Sequence, residues 1–500
     1  MSDSYLFVFS NPTEGNDDEF NSWYETRHVP DVLEVEGVTA AQRYDLAPMT
    51  PPEAEGIAAP QAPAHRYLAV YELDRDPDIV MGSFLDRVGS GPDGAERFSR
   101  PRGGVDGGMA ATRRAESRGT SQVSCAVVGI GRTEYSCRSN RTPLAMAIEA
   151  CRGAIDDAGL TPADVDGIST FMVNDSAQPI TVGWGLGIDE LSWANAMYGG
   201  GNLVADQIAT AAAVIEAGMC RAVLVYRSLN GRSGHRFGTV EGPMLVDQEN
   251  QFDAASGFLV PPQWFAMWAR RHQHDHGSTG EDLGHIAITQ RTHAGPNEHA
   301  LRREPLTMDD YLGARWINEP FRVLDCTSEV DGAVAVLVVG EDLAADTAHD
   351  PVWLVGSSNS QSGAGWTQWD DPAAMYARSA GPKIWERTGL GPGDMDVACM
   401  YDCFTYTVMA TMEGYGFCEK GGVGTFFATG RATYGGDVVV NPHGGLLSEG
   451  YIHGLNHHFE AVSQLRNSAG ARQVEGAELA LVTAGGGPFG GANIYSRQHP

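Results

Sequence analysis

The chain has 500 residues and a formal net charge of −30, from 34 basic and 64 acidic side chains. This length predicts roughly three units of about 100–200 residues each. The strong negative charge argues against nonspecific binding to nucleic acid or to anionic membranes, although a local basic pocket could still hold a small anionic ligand.

Targeting signals and metal motifs are not expected. Residues 1–10 lack a basic region followed by an apolar core, and no apolar run reaches about 18 residues, so we expect a cytoplasmic protein without a signal peptide or a membrane span. Eight cysteines in a chain of this length indicate reduced thiols. Cys399 and Cys403 are close in sequence, but no matching Cys or His pair completes a zinc set, so no metal is expected.

The first part of the chain, residues 1–98, alternates strand and helix patterns in the order of a ferredoxin-like α+β domain. Residues 99–121 are rich in glycine and charge and are predicted to be a linker, with the domain boundary near Ser121. Pro30 should end or kink the first helix. The predicted elements are strands 5–9, 38–46 and 67–73 and helices 17–34 and 79–88.

The rest of the chain alternates strands with helices and contains an internal repeat. Residues 159–166 (GLTPADVD) reappear as residues 389–396 (GLGPGDMD), each between a predicted helix and a predicted strand. A duplication of this kind predicts two similar halves with mixed sheets and helices on both faces, at residues 122–340 and 341–500. Residues 230–320 have no counterpart in the second half and are predicted to form a cap insertion.

Local signals place several elements in this region. Thr142 and Pro143 are a typical N-cap and first helical residue, and Gly159 should end that helix. The other predicted elements are strands 123–130, 165–171, 222–226, 352–355, 397–401 and 479–483, a long helix after residues 199–201 that ends at Gly218, a helix over 373–387 and another through residues 459–465.

Two family resemblances follow from short motifs. The segment WYETRHVPD at residues 23–31, followed by Gly37 and Val38, resembles the dimeric α/β-barrel family. Residues 122–498 resemble the thiolase superfamily, within it the sterol-carrier-type thiolases, which implies duplicated βαβαβαββ halves in an α/β/α/β/α arrangement. The segments that carry the second resemblance are residues 325–326 (DC), 331–335 (DGAVA), 402–405 (DCFT), 441–446 (NPHGGL) with Gly450, and 490–492 (GGA).

The chemical positions of the thiolase pattern are changed. The nucleophilic cysteine should stand at about Gly201, and the second cysteine near Ala484 or Gly485, but neither is a cysteine. Tyr401 and Tyr451 stand where the two active-site histidines are expected. Because a phenol can donate or accept a proton, two tyrosines at histidine positions indicate acid–base chemistry without a covalent intermediate.

This pattern is similar to the thiolase-like aldolases of steroid side-chain degradation. The resemblance implies retro-aldol cleavage of a β-hydroxyacyl-CoA to a ketone and propionyl-CoA, with no cofactor beyond the acyl-CoA substrate. Tyr401 and Tyr451 are the expected catalytic pair, and a phenol pKa lowered to about 8 would require roughly 2.7 kcal/mol of phenolate stabilisation. The further candidates are His443 and His453 in catalysis and Gly201, Asp402, Asn441, Gly485 and Gly486 in substrate binding.

Partners and alternatives also follow from the resemblance. It implies a homodimer and an OB-fold partner protein with a zinc ribbon, which the amino-terminal domain could replace or supplement. One alternative is a Claisen-type thiolase that uses Cys403, and another is a noncatalytic acyl-CoA-binding subunit. A third places the chemistry in the amino-terminal domain, at Tyr24 or His28. The aromatic residues Trp264, Phe265 and Trp268, with Met267, are candidates to line a sterol pocket.

Overall fold

A computed structural model describes residues 4–10, 17–45, 67–73, 80, 124–234, 236, 250–362, 369, 371 and 373–500. The chain divides into two compact units, residues 1–118 and 119–500. Within the described residues, no helix is both long and apolar enough to cross a bilayer. The predicted linker 99–121 lies outside the described residues, as does the predicted helix 79–88 except for Val80.

The amino-terminal unit has a three-stranded antiparallel sheet in the order β1-β3-β2. The predicted helix 17–34 does form, but Pro30 does not end it, because a turn of π-helix precedes the proline and places it in the first turn of the next helical segment. The elements are β1 Ser4–Ser10, α1 Asp17–Trp23, the π-helix Tyr24–His28, α2 Val29–Leu33, β2 Val38–Asp45 and β3 Tyr67–Leu73.

The second unit is built on a sheet in the order β13-β12-β14-β15-β11-β4-β10-β7-β5-β6. The two predicted sheets join where β4 and β11 pair side by side. The strands are β4 Cys125–Arg132, β5 Gly167–Met172, β6 Trp193–Tyr198, β7 Ala222–Asn230, β8 Trp316–Asn318, β9 Phe321–Arg322, β10 Asp331–Gly340, β11 Val352–Gln361, β12 Val397–Cys399, β13 Val439–Val440, β14 Leu479–Gly486 and β15 Phe489–Ser496.

Helices pack on both faces of this sheet, and two of them contact strands of both halves. The helices are α3 Pro143–Asp157, α4 Pro179–Leu186, α5 Val204–Glu216, α6 Asn250–Asp253, α7 Pro261–His276, α8 Gly280–Ala294, α9 Met308–Gly313, α10 Glu341–Ala344, α11 Ala377–Thr388, α12 Thr405–Gly414, α13 Val423–Ala428, α14 Gly445–Ser448 and α15 Leu455–Leu465. Helices α5 and α15 contact strands of both halves, whereas α3 packs on the first half and α11 on the second. This is the layered arrangement expected from the sequence.

The two halves repeat the same strand order about the β4–β11 junction. Each half has a parallel trio, β6-β5-β7 or β13-β12-β14, followed by two antiparallel strands. The repeated sequence anchors the trio: Asp166 accepts hydrogen bonds from the N–H groups of Arg221 and Ala222, at 2.9 and 3.0 Å. Asp396 accepts the equivalent bonds from Glu478 and Leu479, at 2.8 and 3.0 Å. The repeat therefore encodes a strand-end clamp that is used twice.

The local signals mark the start of α3 accurately but not every other boundary. The Thr142 hydroxyl accepts a hydrogen bond from the Ala145 N–H at 3.2 Å, and Pro143 is the first residue of α3. Helix α11 begins at Ala377 instead of residue 373, and β12 ends at Cys399, before Tyr401. The sequence analysis did not predict β6, β15 or α12.

The cap insertion carries helices α6 to α9. Phe265 and Trp268 on α7 are 5% and 2% exposed and belong to the core of the second half, where Phe265 packs on Phe404. The helix turns these two rings inward, and the expectation that they line a sterol pocket stays a prediction. Met267 points the other way, to a cavity of about 290 Å³.

Candidate active site

Tyr401 follows strand β12 and its side chain lies at the meeting point of the two halves. Its N–H donates to the Thr483 hydroxyl at 2.8 Å, which fixes the start of the loop. Its ring is packed between the backbone of Gly201 and that of Gly454, and only 3% of the residue is exposed. A Cβ at Gly201 would lie 2.0 Å from the Tyr401 hydroxyl oxygen. Glycine is therefore required at this position by the phenol itself.

Tyr451 brings a second phenol to the same point. Its N–H donates to the Ser328 carbonyl at 2.9 Å, and its residue is half-buried. The hydroxyl oxygens of Tyr401 and Tyr451 are 3.0 Å apart, within hydrogen-bond distance. The two residues predicted as the catalytic pair thus share a hydrogen bond although they come from separate loops.

The electrostatics of this pair favour the neutral phenols. Burial raises the pKa of Tyr401 well above its ordinary value, and Tyr451 and Cys403 raise it further. Burial and Cys403 also raise the pKa of Tyr451, against the hydrogen bond from Tyr401 and the charge of Arg227, which lower it. The sequence analysis considered a lowered phenol pKa, but the surroundings act in the opposite direction, because the site is shielded from water.

Gly201 opens the short turn before helix α5, where the thiolase resemblance places a nucleophile. Gly485 has φ of +83° and lies in the β14–β15 hairpin, where an added Cβ would be 3.0 Å from the Cα of Asn202. An added Cβ at Gly486 would be 2.9 Å from the ring of Phe265. The structure therefore brings Gly201 and Gly485 to one surface, whereas Gly486 contacts the cap.

His453 lies next to Tyr451, with ring centroids 4.7 Å apart. The Arg227 guanidinium donates from Nε and Nη2 to His453 Nδ1, at 3.1 and 2.9 Å. Arg227 Nη2 also donates to Asp175, at 2.5 Å. Burial and the charge of Arg227 hold the pKa of His453 well below its ordinary value, while Asp175 opposes them. His453 is therefore neutral at physiological pH.

His443 lies deeper than His453, in a fully buried group behind Tyr401. Its Nε2 is 3.0 Å from His457 Nδ1, and His457 Nε2 is 3.2 Å from an Asp402 oxygen. Cys399 completes a trio with the two histidines in which all potential ligand atoms lie within 4.8 Å of one another. These donor types suit zinc. The two histidines already bond each other, and His457 also lies against Asp402, so we interpret the trio as packing.

Asp402 and Asn441 hold the loop that carries Tyr451. Asp402 is fully buried and accepts hydrogen bonds from the N–H groups of Leu446 and Leu447, at 2.8 and 3.0 Å. Asn441 accepts from the Met400 N–H at 2.7 Å and donates to its carbonyl at 2.9 Å. Asp402 also lies 3.2 Å from His457 Nε2, and the bonds of both residues to backbone groups fix the loop.

The alternative functions depend on Cys403, His28 and Tyr24, whose surroundings differ from those of the tyrosine pair. The Cys403 thiol lies 3.7 Å from the Thr407 hydroxyl, and burial raises its pKa, which disfavours a thiolate nucleophile. In the amino-terminal unit, His28 stacks on Trp23 with centroids 4.8 Å apart, and burial lowers the pKa of His28 to about 4. The Tyr24 hydroxyl lies 3.4 Å from that of Tyr71.

Sequence reasoning missed Arg227, Asp175, Thr483 and Gly454. Only Arg227 carried a usable signal, because it is a charged residue that directly follows the apolar run AVLVY in a buried strand. The other three are ordinary loop or strand residues whose position depends on how the halves meet.

Comparisons with known proteins agree with this architecture. Residues 358–495 match the family described as "Thiolase C-terminal domain-like". A steroid side-chain-cleaving aldolase of Thermomonospora curvata is 37% identical over 380 residues, covering 73% of this chain and 95% of that protein. The 17-hydroxy-3-oxo-4-pregnene-20-carboxyl-CoA lyase of Mycobacterium tuberculosis is 37% identical over 378 residues, covering 72% of this chain and 96% of that protein.

Solved structures show the same relationship. A structure described as "Ltp2-ChsH2(DUF35) aldolase" matches with a TM-score of 0.69 and 35% identity, covering 75% of this chain and 97% of that chain. Human mitochondrial 3-ketoacyl-CoA thiolase matches with a TM-score of 0.57 and 17% identity, covering 76% of this chain and 99% of that chain, which shows the common fold. The duplicated α/β sheet, with Tyr401 and Tyr451 at the junction of its halves, is that of a thiolase-type protein. The chain belongs to the thiolase superfamily, among its steroid side-chain-cleaving aldolases, and is a carbon–carbon lyase.

Proposed function

We propose that this protein cleaves a β-hydroxyacyl-CoA by a retro-aldol reaction in which Tyr401 and Tyr451 move the protons. The supporting observation is the 3.0 Å separation of their hydroxyl oxygens beside Gly201. Breaking the bond between the α- and β-carbons requires removal of the β-hydroxyl proton and protonation of the resulting enolate, and neither step needs a nucleophile, a metal or a redox cofactor.

The paired phenols can act as a neutral relay. The β-hydroxyl proton passes to the oxygen of Tyr451, the Tyr451 proton passes to Tyr401, and the Tyr401 proton passes to the α-carbon. The electrons of the broken bond form the enolate, a ketone leaves, and both tyrosines end the cycle as phenols. The raised pKa values assist this relay, because alcohols and α-carbons are weaker acids than an ordinary phenol and proton transfer is efficient between groups of similar pKa.

The assignment of roles follows from position. Tyr451 is half-buried and nearest to the charge of Arg227, so it is the group that first meets the hydroxyl proton. Tyr401 lies against Gly201, where thiolases hold the reacting acyl group, and so it protonates the enolate.

The substrate is a steroid side-chain CoA ester that yields propionyl-CoA. The names of the two 37% identical relatives support this proposal, since one cleaves steroid side chains and the other is a pregnene carboxyl-CoA lyase. The name of the solved complex supports a second protein in the active assembly, which we propose to be an OB-fold protein with a zinc ribbon.

Product analysis tests the function directly. The purified chain, with and without that partner, is incubated with a 17-hydroxy steroid β-hydroxyacyl-CoA, and the products are identified by mass spectrometry. A 17-keto steroid and propionyl-CoA are expected in equal amounts. Binding without cleavage under both conditions would instead favour a noncatalytic subunit, and loss of activity on thiol alkylation would favour Cys403 as nucleophile.

We also propose that two copies associate through the β6 edge of the sheet. Strand β6 is last in the strand order, and Ile180, Trp184 and Tyr198 beside it are 70%, 82% and 78% exposed. An apolar surface at a sheet edge favours association of copies. Light scattering should give a dimer, and the double variant Ala196→Lys/Tyr198→Lys should give a monomer. A dimer that survives both substitutions would place the interface elsewhere.

A further inference from the structure

Arg227 is a buried charge in the middle of strand β7, and the reaction described above assigns it no step. Its side chain is fully buried, and that of its ion-pair partner Asp175 is 7% exposed. Removing two such charges from water costs several kcal/mol per ion unless their hydrogen bonds are satisfied. Burying the Arg227–Asp175 pair therefore costs free energy that an apolar residue in this strand would not cost.

The donors of Arg227 are directed at one histidine. Its Nε and Nη2 both donate to His453 Nδ1, while its guanidinium lies over the ring of Phe171 at 5.5 Å. Because a guanidinium has no acceptor, Nδ1 must be the unprotonated nitrogen of the imidazole. The single hydrogen of neutral His453 is then on Nε2.

The His453 ring is also held from its other sides. Phe171 stacks on it with centroids 6.3 Å apart, and its Cε1 is 3.9 Å from where a Cβ on Gly200 would lie. Gly200 precedes Gly201, so the Cε1 edge of the imidazole faces the turn that meets the Tyr401 hydroxyl. Asp175, which accepts a hydrogen bond from the Arg227 guanidinium, lines a cavity of about 310 Å³.

We propose that Arg227 and Asp175 are positioning residues that fix His453 as a neutral Nε2–H donor to the thioester oxygen of the enolate. This inference rests on the proposed retro-aldol function. A fixed donor aimed at developing negative charge stabilises an enolate without reorganisation during the reaction. Asp175 holds the guanidinium, the guanidinium selects the tautomer, and the histidine contacts the substrate.

The ionisable groups that face His453 determine its response to pH. Among the described residues they include Arg227 on β7, Asp175 after β5 and Tyr451 on the same loop, while Phe171 and Gly200, which also lie beside the ring, do not ionise. Arg227 disfavours a second positive charge, so it lowers the pKa of His453. Removing that charge should raise the pKa of His453 toward its ordinary value of about 6.5. Removing the charge of Asp175 should lower the pKa of His453 further.

Histidine NMR tests the tautomer without reference to activity. The protein is labelled with ¹⁵N-histidine, and His453→Gln identifies the signal. In the wild type the signal should show the Nε2–H form, whereas in Arg227→Gln the Nδ1–H tautomer should also appear and the ring should titrate at a higher pH than in the wild type. Asp175→Asn should titrate at no higher pH than the wild type. A wild-type Nδ1–H signal, or no upward shift of the titration in Arg227→Gln, would overturn the proposal.

The pH dependence of kcat tests the role in the reaction. Arg227→Gln should lower kcat, with little change in KM, above the new His453 pKa, where the Nδ1–H tautomer is also populated. Activity should recover below that pKa, where the imidazolium again carries an Nε2 hydrogen, whereas Asp175→Asn should show no such pH dependence. Equal, pH-independent losses in both variants would mean that the pair only supports the fold. If Arg227→Gln does not fold, the double variant Arg227→Gln/Asp175→Asn removes both charges and serves the same test. A wild type without lyase activity would reject the proposed function, while the NMR result would still decide the tautomer.

Discussion

The two halves of the sheet share one topology but carry different chemistry. Their repeated segments place Phe171 after the anchor Asp166 at the same spacing that places Tyr401 after Asp396. Phe171 stacks on His453, whereas Tyr401 carries the hydroxyl that meets Tyr451. The same duplicated position thus carries an aromatic ring that packs on His453 in the first half and a phenol that meets Tyr451 in the second. The framework is common to both halves, and the proposed reacting groups lie in the second.

The loops after these strands differ in the same way. In the second half, Asp402 and Asn441 form hydrogen bonds with backbone groups and fix the loop that carries Tyr451. In the first half, Asp175 pairs with Arg227, and Arg227 donates to His453 on the loop that carries Tyr451. In the proposed mechanism, the second half therefore supplies the reacting groups, and the first half supplies the charged pair beside them.

The largest expected effect comes from removing the hydroxyls of the second half. Tyr401→Phe and Tyr451→Phe should each lower kcat by about 10²–10⁴-fold while the protein remains folded, because each removes one member of the relay. Steady-state kinetics and circular dichroism measure the two outcomes. Near-normal cleavage by both variants would reject the assignment.

The duplicated position can be exchanged to test whether a hydroxyl in the first half substitutes for one in the second. The double variant Phe171→Tyr/Tyr401→Phe should be as inactive as Tyr401→Phe, because the new hydroxyl would face His453 instead of Tyr451. Phe171→Tyr alone should retain activity but lose about 1–3 kcal/mol of unfolding free energy if its hydroxyl has no partner. Recovered activity in the double variant would show that the halves are interchangeable.

The meeting point of the halves is tested at Gly201. Gly201→Ala should displace the Tyr401 hydroxyl and lower kcat by about 10²-fold, since a misplacement of about 1 Å has such an effect. Gly393→Ala is the control, because its added Cβ has no atom within 4 Å. Full activity in Gly201→Ala would show that the phenol does not work from this position.

The smallest effect is expected at the two anchors that the halves share. Asp166→Ala and Asp396→Ala should each lower the unfolding free energy by about 1–3 kcal/mol, because each leaves two backbone N–H groups without their acceptor. Chemical denaturation should give similar values for the pair. A large difference would mean that the two clamps are not equivalent.

Much of this protein was determined by local sequence. The repeat at residues 159–166 and 389–396, the Thr142 cap and the apolar strands predicted the duplicated α/β fold, because caps, turns and hydrophobic periodicity are properties of neighbouring residues. The motifs around Tyr401 and Tyr451 also identified the family and the absence of its cysteines. The composition of helix α7 did not say which of its faces packs inward.

Only the tertiary structure decided how the site works. The 3.0 Å contact between the two phenols joins loops from different parts of the chain, and the fit of Tyr401 against Gly201 depends on both halves. Arg227, Asp175 and His453 come from three separate segments. The raised pKa values of the tyrosines follow from burial at the junction. Such properties arise from contacts between distant segments and from exclusion of water, and neither is written in the order of neighbouring residues.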